Sequence, residues 1–144
     1  MSSGCRVIES QDCILIVEDD LLVGFGLAMA LNIAGYRIVG PTGSADRALA
    51  LAAAERPDVA LVDIDLHGRA DGVGVARTLG ERHGTSVIFV TGRPERAREA
   101  RNCALGVVTK PYDLVGMPRV VEVARQHRQG LPIDNGPRFL ELFV

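Results

Sequence analysis

Short continuous apolar runs alternate with longer stretches of helical period along this chain. Cys13-Ile-Leu-Ile-Val17 is five apolar residues in a row, the pattern of a strand buried on both faces. Residues 21–34 are long enough for a helix, and Gly35 ends it by supplying the left-handed backbone that closes a helix. Residues 37–41 read as a second, weaker strand. Ser44 caps a helix through Glu55, with Ala45, Ala48, Leu49, Ala52 and Ala53 on one face, and Pro57 bars its continuation. A third strand covers 59–62, and a helix follows from about 73 to 82. The fourth strand, 86–90, leads to Thr91-Gly92. Pro94 suits the first turn of a helix through 102. A fifth strand at 107–109 precedes Lys110-Pro111, and a last helix from about 117 to 129 is stopped by Gly130 and Pro132.

Five strands alternating with five helices predict an α/β fold, a doubly wound five-stranded parallel sheet with helices on both faces. Ligands of such sheets gather beyond the carboxyl ends of the strands. The 144 residues suit one domain, with 1–11 and 130–144 lying outside the alternating unit. Hydrophobic residues make up 47% and charged ones 24%, which excludes a disordered or fibrous chain. A net charge of −2 argues against a chain that grips nucleic acid. Two Tyr, four Phe and no Trp leave little for base stacking. Cys5, Cys13 and Cys103 include no C-x-x-C pair, so neither a disulfide framework nor a zinc site is expected, and free thiols suit a cytoplasmic protein. No signal peptide is visible, and the longest uncharged stretch, 21–36, is shorter than the ~20 residues of a membrane span.

The strand ends carry the candidate chemistry. Glu18, Asp19 and Asp20 follow the first strand, Asp63 and then Asp65 the third, Thr91 the fourth and Lys110 the fifth. Phosphoryl transfer to a carboxylate uses such a set. Glu18, Asp19 and Asp63 offer hard oxygen ligands for Mg²⁺, and the cation offsets the repulsion of crowded carboxylates. Asp63 is the candidate nucleophile toward phosphorus. Lys110, the Thr91 hydroxyl and backbone N–H groups, with Mg²⁺, would share the three charged oxygens of the transition state. Asp20 fits a helix cap.

Residues 13–129 resemble the receiver domain of two-component response regulators. Ile14-Leu-Ile-Val-Glu-Asp-Asp20 is similar to the family's acidic first-strand motif, and Pro57-Asp-Val-Ala-Leu-Val-Asp63 to its phosphoacceptor strand. Val87-Ile-Phe-Val-Thr91-Gly92 and Thr109-Lys110-Pro111-Tyr112 resemble the other two motifs. The resemblance implies a flavodoxin-like receiver domain over 12–129 and a phosphorelay function. It implies Asp63 as phosphoacceptor, Glu18 and Asp19 as metal ligands, a ligating backbone carbonyl at Asp65, and Thr91 and Lys110 as phosphoryl-binding groups. The implied partners are a histidine kinase or a histidine phosphotransfer protein. Two positions depart from the family pattern: His67 stands where proline is usual, in a loop about one residue longer, and Val107 replaces the usual aromatic three residues before the lysine.

Two other readings use the same residues. Asp63-Ile-Asp65 fits a haloacid-dehalogenase-type phosphatase, although His67 replaces that family's threonine and Glu18 and Asp19 gain no role. An adaptor of the same fold would bind partners without phosphorylation. The uncharged helix at 21–34 suggests a docking face for a partner helix. The end of the chain reads LPIDNGPRFLELFV, with Phe139, Leu140, Leu142, Phe143 and Val144 concentrated in its last six residues. Such a segment is expected to pack on the rim or last helix, or to cross to a second subunit in a homodimer. With Val107 in place of the usual aromatic, a tail over the fourth helix and fifth strand would take over part of the coupling and move when Asp63 is phosphorylated. Fifteen residues after Gln129 are too few for an output module, so output is expected through protein–protein contact.

Overall fold

The computed structural model describes residues 12–69 and 71–143. The segment 1–11 with Cys5, Ala70 and Val144 lie outside the described residues. Six strands form one sheet: β1 (Cys13–Val17), β2 (Arg37–Thr42), β3 (Val59–Val62), β4 (Ser86–Thr91), β5 (Gly106–Thr109) and β6 (Leu140–Leu142). The helices are α1 (Leu21–Ile33), α2 (Ala45–Glu55), α3 (Asp71–His83), α4 (Pro94–Glu99) and α5 (Met117–Arg128). The strand order is β2-β1-β3-β4-β5-β6, with β1 to β5 parallel and β6 antiparallel to β5. The order reverses at β1, so the crevice beyond the carboxyl ends of β1 and β3 is the topological switch point.

The pleat explains the apolar runs. Ile14 and Ile16 of β1 face Leu27 and Leu31 of α1 and Val120 and Ala124 of α5. Leu15 and Val17 point the other way, into a cluster with Ala48 and Ala52 of α2 and Val75 and Leu79 of α3. With a helix layer on each side, both sets of side chains leave water, and neither face requires polar residues.

Three features differ from the pattern-based expectation. The five parallel strands form as expected, but the sheet gains β6, which covers the free edge of β5. An open strand edge presents unpaired backbone groups, and the apolar end of the chain is the segment that covers them. Helix α4 stops at Glu99 rather than 102, because Ala100 leaves helical backbone (φ −105, ψ 30) and a 3₁₀ turn follows at Arg101–Cys103. Helix α3 starts at Asp71, ahead of its apolar periodicity, since its first turn packs through Gly72 rather than through a large side chain.

Candidate functional site

The rim above β1 and β3 is acidic and mostly buried. Glu18 and Asp63 are 4% and 6% exposed, each the first residue after a strand buried on both faces. One carboxylate oxygen from each of Glu18, Asp19 and Asp63 lies within 4.8 Å of the others, a set that could hold a metal ion. The ammonium of Lys110, delivered by β5, donates to Glu18 Oε1 at 2.7 Å and to Asp63 Oδ2 at 2.9 Å. The other oxygens are also engaged: Asp63 Oδ1 accepts the Asp65 N–H at 3.1 Å and Glu18 Oε2 the Asp20 N–H at 3.1 Å. Thr91 is fully buried at the end of β4. Its hydroxyl accepts the Arg93 N–H at 3.1 Å, and its carbonyl accepts the Lys110 N–H at 2.8 Å.

Burial shifts these groups in ways their partners oppose. Desolvation pushes the Glu18 carboxyl above its ordinary pKa despite the lowering pull of Lys110 and the Asp20 N–H. Burial alone would lower the Lys110 pKa, but its hydrogen bonds to Glu18 and Asp63 outweigh that effect and raise it. Lys110 is therefore charged and fixed between two carboxylates. Asp19, nearer solvent, is lowered overall: its desolvation is outweighed chiefly by the His67 N–H.

Sequence reasoning placed Glu18, Asp19, Asp63 and Lys110 at one rim, and their contacts bring them together. It missed two supporting interactions. The Asp65 carboxylate is held by a fork from Arg93, with Nη2–Oδ1 at 2.6 Å and Nε–Oδ2 at 3.2 Å. The available signal was an equal offset, since Asp65 and Arg93 each lie two residues beyond a rim residue, Asp63 and Thr91, of neighbouring strand ends. The second concerns His67. Its imidazole is mostly exposed, while its backbone N–H donates to Asp19 Oδ2 at 2.8 Å. A proline there has no N–H to give. His67 also holds φ 53 and Gly68 φ 78 in a tight turn closed by the Leu66–Arg69 pair, a backbone that proline cannot adopt.

Chemically, the rim offers a buried carboxylate, hard oxygen ligands, a fixed ammonium and a buried hydroxyl. Residues 14–122 match the response regulator receiver domain family. The chain is 30% identical over 116 residues to the transcriptional regulatory protein PdtaR of Mycobacterium tuberculosis, covering 77% of this chain and 55% of that one. It is 39% identical over 102 residues to the positive alginate biosynthesis regulatory protein of Pseudomonas aeruginosa, covering 68% and 41%. The chain thus spans about half the length of these curated relatives. Among solved structures, the signal receiver domain of a modulated diguanylate cyclase from Desulfovibrio desulfuricans G20 superposes with a TM-score of 0.75 at 32% identity, covering 83% of this chain and 98% of that one. A CheY-like receiver domain protein from Methanospirillum hungatei JF-1 gives 0.76 at 25% identity, covering 84% and 98%.

Proposed function

The chain belongs to the response regulator receiver family, and from that premise we propose that Asp63 accepts a phosphoryl group from the phosphohistidine of a histidine kinase or histidine phosphotransfer protein. The observation that carries this is the buried Asp63 carboxylate, hydrogen-bonded to a fixed Lys110 and grouped with Glu18 and Asp19. In the transfer, an Asp63 oxygen bonds to phosphorus as the histidine nitrogen–phosphorus bond breaks. The electron pair returns to an imidazole left neutral by the proton on its other nitrogen. Lys110 and the Thr91 hydroxyl bind phosphoryl oxygens, and Arg93 keeps the Asp65 side chain away from them.

Glu18, Asp19 and Asp63, with the Asp65 carbonyl, suit Mg²⁺, because all are hard oxygen donors. The bound cation supplies positive charge for the phosphoryl oxygens. Glu18→Gln or Asp19→Asn is expected to weaken Mg²⁺ binding at least ~10-fold, measured by titration calorimetry. A unit charge pair about 4 Å apart is worth roughly 4 kcal/mol at an effective dielectric of 20, so a tenfold loss is a lower bound. An unchanged affinity in both variants would remove these residues from the metal site.

The complete set of groups favours this reading over the phosphorylation-independent adaptor, and the family match displaces the phosphatase reading. The test is exposure to a small acyl phosphate with Mg²⁺, read by intact mass. A chain that gains no phosphoryl group overturns it.

Helix α1 supplies the docking face for the phosphodonor protein. Its inner side buries Leu27 and Leu31, while Leu22, Phe25, Met29 and Ile33 lie exposed along its outer side. Leu114 and Val115, just before α5, are also exposed, and Leu22, Gly26, Tyr112 and Leu114 line an apolar depression that reaches Lys110. Contiguous apolar surface of this kind marks an interface, and the proposed occupant is an apolar helix that carries the phosphohistidine to the rim. Phe25→Asp or Met29→Lys is expected to slow transfer from the protein donor on the order of tenfold or more while leaving phosphorylation by the acyl phosphate intact. Equal loss with both donors would show that the helix is structural only.

A further inference from the structure

The end of the chain is fitted to the body. Gly106 and Gly116 lie where an added Cβ would meet the Glu141 carbonyl oxygen at 2.4 Å and the Phe139 ring at 2.8 Å. The Phe139 ring packs beside Tyr112, and Leu140 is 7% exposed. Phe143 donates its N–H to the Leu105 carbonyl at 2.8 Å, lies under the Arg101 guanidinium, and packs against the cluster that holds Val107 and Ala97. Yet β6 is only three residues long, and 130–139 connect it to α5 through largely exposed chain.

Helix α4 links this strap to the phosphoryl-accepting rim. It has six residues and no side-chain cap at its N-terminus, and an ion pair holds it at each end. Arg93 grips Asp65, two residues from Asp63. Arg98 makes a fork to Glu141 of β6, with contacts of 2.8, 3.0 and 3.1 Å. A phosphoryl group on Asp63 would replace the single charge of its carboxylate by close to two negative charges, set farther out toward Asp65, and compete for Arg93, whose own N–H rests on the Thr91 hydroxyl.

We propose that the strap is a latch set by the state of Asp63: docked on β5 when the carboxylate is free, and loosened when a phosphoryl group draws Arg93 and α4 toward the rim and strains the Arg98–Glu141 pair. Release bares the edge of β5, a surface able to accept an added strand. The inference rests on Asp63 as phosphoacceptor. A three-residue strand joined to its helix by largely exposed chain is a segment whose docking a difference in interaction of this kind can redistribute.

The test is amide hydrogen exchange at 140–143 in the full chain, with and without acyl phosphate and Mg²⁺, occupancy being read by intact mass. Exchange should accelerate at least tenfold on phosphorylation. Glu141→Gln should exchange rapidly in both states, because the link to α4 is cut. Full occupancy with unchanged exchange overturns the latch and leaves β6 a fixed strand, with phosphorylation intact. Failure to gain a phosphoryl group overturns the phosphoacceptor reading, and the latch with it.

Discussion

Asp63→Asn protein mixed with Mg²⁺ and a small acyl phosphate is expected to gain no phosphoryl group, while the wild-type chain gains one that alkaline hydroxylamine removes. An amide nitrogen or oxygen is a poor nucleophile toward phosphorus, and the substitution leaves no other carboxylate with the same surroundings. Glu18 shares Lys110 with Asp63, but it also accepts from the Asp20 N–H at the turn into α1, so it is anchored away from the place Asp63 occupies at the end of β3. The fold should survive, because Lys110 keeps Glu18 as a partner and one of three crowded negative charges is removed. Intact mass reads the outcome, and peptide mapping after borohydride reduction locates the label. Incorporation at the wild-type rate in the variant would overturn the assignment of Asp63.

A pair of glycines in α3 provides the largest expected effect on stability and a built-in control. Gly72 is buried, and a Cβ there would lie 2.0 Å from the Asp63 carbonyl oxygen and 2.6 Å from Ile64 Cα. Both are backbone atoms, so no rotamer change relieves the clash. Gly72 also donates its N–H to the Ile64 carbonyl at 2.9 Å, which fixes the first turn of α3 against the loop that carries Asp63. Gly72→Ala is expected to cost about 2–3 kcal/mol and to slow phosphorylation, because either α3 or Asp63 must move. Gly74, two residues on and so on another face of the helix, has nothing within 4 Å of its Cβ site and sits inside a helix, where alanine is favoured by roughly 0.5–1 kcal/mol. Gly74→Ala should therefore leave stability unchanged or improve it. Denaturant titration of both variants decides the matter: equal effects at the two positions would contradict the close approach of α3 to the Asp63 loop.

The legible parts of this protein share a physical origin. Strands buried on both faces must be apolar throughout, so Cys13–Val17 and Val59–Val62 announce themselves, and the first polar residue after each marks the rim. The grouping of Glu18, Asp19, Asp63 and Lys110 was visible for that reason. The Asp65–Arg93 fork was not, because exposed charges beyond a strand end read as loop residues until the strands are ordered side by side. The His67 contact was invisible for another reason: it is made by a backbone N–H, a group that every residue except proline carries, so the identity of the side chain conceals it.

The end of the chain shows the division most clearly. Sequence alone determined that Phe139, Leu140, Leu142 and Phe143 would seek burial, since their number is improbable for a solvated terminus. It also determined the five-stranded alternation and the polar residues at the strand ends, because both follow from local period and burial. Tertiary structure alone decided that the terminus becomes β6, antiparallel on β5, with Glu141 turned to Arg98 and Phe139 set over Gly116. Local pattern states how much apolar surface must be hidden; which edge hides it depends on which strands end up at the margins of the sheet, here β2 and β5, and that is fixed only when the whole sheet has been assembled.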